Sequence, residues 1–115
     1  MAGKTSPIIA ALPETIKIGA YTVRIVKAQD HLVASEAWAT WENQEFVIYV
    51  RHIYPNNELA VASLLHEITH ACFTVYGMAR EGINEEQVCI LNDMIWVAVF
   101  KDNPWLLDWI KKGLK

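Results

Sequence analysis

Between Asn57 and Gly77 the chain reads "ELAVASLLHEITHACFTVY", a run that is apolar almost all round. Asn56 or Asn57 can cap a helix there, and Gly77 can end it. A helix with so little polar surface predicts burial, so the rest of the chain must cover it. With 115 residues there is room for one domain and a single core around that helix.

The amino-terminal half supplies β structure. "TIKIGAYTVRIV" alternates around Gly19-Ala20 and predicts a hairpin of residues 15–18 with 21–26. "AWATWENQEFVIYVR" predicts a second hairpin with Glu42, Asn43 and Gln44 near its turn. In its last strand Phe46, Ile48 and Val50 face one side, and Val47 and Tyr49 the other. Both faces are apolar, so helices are expected over at least one of them. Beyond "GMAREGI", the stretch "NEEQ" has the form of a capping box, with Asn84 as cap and Gln87 three residues on. The helix it opens runs to about Phe100 and is broken by Asp102-Asn103-Pro104. "NPWLLDWIKKGL" then forms a short amphipathic helix, with Lys111 and Lys112 suited to its carboxyl end. Strands first and helices after them define an α+β fold. The expectation is a small antiparallel or mixed sheet of two hairpins, then three helices, in one domain spanning 1–115. Residues 1–14 are expected to be extended or flexible.

Composition excludes several function classes. A formal charge of −3, a pI near 5.7 and the lack of a basic run give no electrostatic case for nucleic acid. The first residues carry one lysine and a short apolar run broken by Pro13, a poor signal peptide and too short for a membrane span. "VCILNDMIWVAVF" is interrupted by Asn92 and Asp93 and also falls short. Cys72 and Cys89 lie in apolar segments without CxxC spacing, which favours buried thiols in a reducing compartment over a disulfide. The expected location is cytoplasmic. Five tryptophans are many for this length. Trp105 and Trp109 are candidates for a partner surface, although packing of the last helix onto the domain is the preferred reading.

The long helix carries HExxH. His66 and His70, four residues apart, share one face, so both imidazoles can reach one zinc ion. Glu67 is rotated off that axis yet close enough to take a proton from a water that attacks a carbonyl carbon. A third ligand must come from elsewhere, and His31, His52, Glu81, Glu85, Glu86 and Asp93 are the candidates. His31 and His52 read as surface histidines, and Glu81 as a solvated loop residue. Glu85 heads a stripe with Val88, Cys89, Asn92, Ile95, Trp96 and Val99, which is mostly apolar and expected to face the core. Glu86 shares the mixed stripe of Cys89, Ile90, Asp93 and Val97. Helical phase therefore favours Glu85, with Glu86 as the alternative.

"HEITHA", followed by a helix opening with "NEEQVCIL", resembles the small gluzincins, in which HExxH and a glutamate from a second helix bind zinc. The layout is similar to the minimal metallopeptidase domain of the ImmA/IrrE type. It looks closer still to short phage- or prophage-encoded proteins, over about residues 46 to 108. The resemblance implies a minimal zincin-like fold and zinc held by His66, His70 and Glu85. It further implies Glu67 as general base and a peptide or protein substrate in the cytosol of a bacterial host, or a role in a virion. It also implies that "EFVIYVR" is the edge strand that aligns a peptide. Tyr76, His52 and Tyr54 are the candidates for the group that steadies the oxyanion. The competing expectation is a non-catalytic, zinc-stabilised interaction or structural module of phage or prophage origin.

Overall fold

The computed structural model describes residues 4–28, 32, 35–77 and 84–115. Strands β1 (Thr15–Ile18) and β2 (Tyr21–Ala28) form the first hairpin, with Ile16 opposite Val23. Gly19 takes φ +59° in the turn, and a Cβ there would meet Val75 Cγ1 at 3.0 Å, so glycine suits both the backbone and the space. Strands β3 (Ala39–Glu42) and β4 (Val47–Arg51) form the second hairpin, with Trp41 opposite Ile48. The two hairpins join through a parallel pairing of β2 with β4, Ile25 opposite Ile48. The sheet is therefore mixed, in the order β1-β2-β4-β3.

That order corrects one expectation. "EFVIYVR" contributes β4, which is an interior strand, and the edge strand is β3. The physical reason lies in composition: Val47, Ile48 and Val50 are all buried, whereas β3 is half-buried along its length and carries Thr40 and Glu42. An edge tolerates polar residues that an interior strand does not.

One face of the sheet, built from Ile16, Ile18, Val23, Ile25, Ile48 and Val50, packs into the helical layer. Helix α1 is a single turn (Pro7–Ala10) with Ile8 and Ile9 buried. Within the segment expected to be extended or flexible, residues 7–12 are instead fixed: Ile8, Ile9 and Leu12 belong to the core, and Trp109 Nε1 donates to Ile8 O at 2.7 Å. Trp109 is accordingly a packing residue of the last helix.

Helix α2 (Asn57–Val75) is capped by Asn56, whose Oδ1 accepts from the Leu59 N–H at 2.8 Å. Helix α3 (Glu85–Asp102) opens with the expected reciprocal box, Asn84 with Gln87, both bonds 2.9 Å. Helix α4 (Pro104–Gly113) follows after one residue, Asn103. Its carboxyl end lies so close to α2 that a Cβ on Gly113 would stand 2.6 Å from Val61 Cγ2. Asn103 fastens the α3–α4 corner to β1: its side chain accepts from the Lys17 N–H and donates to the carbonyls of Lys17 and Val99. Among the described residues no helix is long and apolar enough to cross a membrane.

Candidate functional site

Helix α2 is less enclosed than its composition predicts. Its buried positions are Ala60, Val61, Leu64, Glu67, Ile68, Ala71 and Cys72, one stripe at helical spacing. His66 and His70 lie on the opposite, exposed face. Burial without a partner would therefore be costly for Glu67, which is only 7% exposed, and not for the imidazoles.

The two histidines converge as the i, i+4 spacing requires. Their Nε2 atoms are 3.2 Å apart, and the rings meet edge to face with centroids 4.8 Å apart. At that distance one Nε2–H can donate to the other. Their separation also matches the roughly 3.3 Å between two nitrogens bound tetrahedrally to zinc at ~2.0–2.1 Å. His66, Glu67 and His70 each offer a ligand atom, and these atoms all lie within 4.8 Å of one another. Two imidazoles at this spacing are part of a donor set that zinc accepts, so His66 and His70 fit the metal.

Strand β3 closes the site from above. Trp38 O accepts from the Arg51 N–H at 3.3 Å, which sets the phase of the β3–β4 ladder. Alternate residues Ala39 and Trp41 must then turn their backbone groups to the outer edge. The Trp41 N–H faces Glu67, and the Trp41 indole donates to Thr74 Oγ1 at 3.1 Å, two turns further along α2. Thr74 Oγ1 in turn donates to His70 O at 3.2 Å. Between this edge and α2 runs a groove. One part, about 320 Å³, is lined by Trp38, Ala39, Ser63, His66 and Glu67 among others. The next, about 340 Å³, is lined by Ala39, Thr40, Trp41, His66, Glu67 and His70. Burial raises the proton affinity of Glu67, while His66, His70 and the Trp41 N–H act in the opposite direction.

The other sequence candidates fall elsewhere. Glu85 and Glu86 are exposed on the first turn of α3, and neither belongs to the group formed by His66, Glu67 and His70. The stripe of α3 that faces the core is Leu91, Ile95 and Val99, whereas Val88, Cys89 and Asn92 are exposed. Ile95 and Val99 of the expected core-facing stripe are buried, but Glu85, Val88 and Cys89 at its start are exposed, because the buried positions of α3 fall in its later turns, against β1 and α4. Asp93 is exposed too. His31 and Glu81 lie outside the described residues. Both ring nitrogens of His52 are buried without a hydrogen-bond partner, beside a second cavity lined by Trp38, Arg51, Ile53 and Pro55.

Of the oxyanion candidates, Tyr76 forms the carboxyl cap of α2, next to the turn at Gly19. Tyr54 is buried, and its hydroxyl donates to Trp38 O at 2.6 Å while burial pushes it up to about 12. Its proton is committed to holding the start of β3. Trp41 and Thr74 are site residues that sequence reasoning missed. Local alternation placed Trp41 on a strand, but only the β2–β4 pairing makes that strand an edge over α2. No protein-family model, curated protein or solved structure matches this chain.

Proposed function

We propose that this chain is a zinc-dependent peptidase of the gluzincin kind, which hydrolyses a peptide bond with Glu67 as general base. The observation that carries this reading is the buried Glu67 carboxylate, set beside the His66–His70 pair in a groove under the open edge of β3. His66 and His70 would hold the metal. Glu85 as third ligand, with Glu86 as the alternative, rests on the resemblance alone. Zinc, when bound, would polarise a carbonyl and lower the pKa of a water to roughly 7.

The chain's own residues do the rest. Burial makes Glu67 a better proton acceptor, and the neighbouring imidazoles and the Trp41 N–H keep its charged form accessible. Glu67 takes the proton of the attacking water and passes it to the departing amine. The outward backbone groups of Ala39 and the carbonyl of Trp41 can hold an extended peptide by adding it to the sheet edge. The phage-like resemblance points to a peptide or protein substrate in the cytosol of a bacterial host.

A second reading has its own support. The Glu67 carboxylate offers a ligand atom within 4.8 Å of those of both imidazoles, so a side-chain shift would bring it into the metal shell and leave no free base. The domain would then be a zinc-stabilised interaction or structural module. One experiment separates the two. Zinc-loaded protein is incubated with a mixed-sequence peptide library, with cleavage read by mass spectrometry and bound zinc by elemental analysis. Under the peptidase reading Glu67→Gln keeps zinc and stops cleavage. Loss of zinc from that variant, or unchanged cleavage with zinc retained, removes Glu67 as the base.

A further inference from the structure

Helix α3 has two apolar faces, and the core uses only one of them. Leu91, Ile95 and Val99 point inward. On the far side Ile90 (45% exposed), Met94 (47%) and Val97 (70%) form an outward stripe. At 100° per residue, Glu86, Ile90, Met94, Val97 and Lys101 fall within an arc of about 80°, roughly opposite the buried stripe. Exposed aliphatic side chains placed singly are ordinary, but three in register along one helix make a contact surface.

The charges at its ends indicate the partner. The stripe begins with Glu86, four residues before Ile90, and ends with Lys101, four residues after Val97. It is therefore self-complementary under a two-fold axis at its middle. A second copy laid antiparallel sets Glu86 against Lys101 of that copy, Ile90 against its Val97, and Met94 at the axis. Isologous contacts of this kind require each patch to complement itself when reversed. A parallel partner would instead set acid against acid and lysine against lysine. We propose that this chain pairs with a second copy of itself through the α3 stripe, as an antiparallel helix pair.

The contact is modest. One helix pair offers less than the roughly 1,600 Å² of a standard interface, so the dimer is concentration-dependent. Asp93, beside the axis, meets its own counterpart and weakens it further.

Sedimentation equilibrium of the full chain over a concentration series tests the pairing. A monomer–dimer equilibrium is expected. Val97→Lys weakens it by about tenfold or more, because a buried aliphatic contact is replaced by a charge on each side. Glu86→Lys and Lys101→Glu each weaken it by about threefold, and the combined exchange restores the original affinity. All three positions are exposed, so melting curves should match the parent and show that the fold is kept. In a Cys89→Ser background, Met94→Cys should oxidise to a covalent dimer. A chain still monomeric at roughly 1 mM overturns the proposal. So does a dimer indifferent to Val97→Lys, which would use another surface. A double exchange no tighter than either single variant rules out the antiparallel register.

Discussion

Glu67 and Asn103 are the polar side chains that the described core encloses, at 7% and 3% exposure. Their surroundings differ in kind. Asn103 is neutral, and its amide is matched to backbone groups: it accepts from the Lys17 N–H and donates to the carbonyls of Lys17 and Val99, all at 2.7–2.9 Å. Nothing remains for a ligand to satisfy. Glu67 is ionisable, has one backbone N–H facing it, and shares its groove with two imidazoles that solvent can reach. Equal burial thus marks a structural bracket in one place and, under the proposed function, a reactive site in the other. What distinguishes them is how much hydrogen-bonding and charge capacity the fold leaves unused.

Removing the Glu67 charge separates the two regions most directly. Glu67→Gln should lower the cleavage rate by about 10³-fold, within the usual range for a lost general base, with little change in melting temperature. If the variant instead unfolds, Glu67 is a bracket like Asn103. Asn103→Ala should behave in the opposite way, losing about 2–3 kcal/mol in urea unfolding because the Lys17 N–H and two carbonyls lose a partner. Zinc content should be untouched. A loss of zinc in that variant would show that the two regions are coupled.

Cys72 shows what burial does with no polar compensation. Its thiol is pushed up to about 12 from an ordinary 9.0 by burial alone. The unfolded chain ionises first as pH rises, so stability should be intact below pH 9 and fall between pH 9 and about 12. The expected slope is ~1.4 kcal/mol per pH unit. Urea unfolding at pH 8 and pH 10.5 measures it, and Cys72→Ala should flatten the profile. Tyr54, also pushed up to about 12 by burial, should sustain a residual decline above pH 10.

The smallest effect concerns the bracket above Glu67. Trp41→Phe removes the indole bond to Thr74 and should cost about 1 kcal/mol, as should Thr74→Val. A double variant no worse than either single one would show that the pair acts as a unit. Additive losses would mean that the bond contributes nothing to holding β3 on α2.

Much of the architecture was legible locally. The Gly19-Ala20 turn, the Asn56 cap, the Asn84–Gln87 box and the break at Asn103 each announce themselves within a few residues, because caps and turns are short-range chemistry. The convergence of His66 and His70 is equally local, a consequence of helical pitch. The burial expected of Glu85 failed because a helix can extend past its core. Val88 and Cys89 look like core residues by type, yet both are exposed.

Local spacing was enough for the α+β class, the order of the elements from β1 onward, their approximate boundaries and the His66–Glu67–His70 constellation. That β3 and not β4 is the edge, that Trp41 stands over Glu67, and that α3 turns Ile90, Met94 and Val97 outward emerge from the folded arrangement. These depend on which strands pair and on where a helix leaves the core. Such choices are made by contacts between residues far apart in the chain, and no local pattern encodes them.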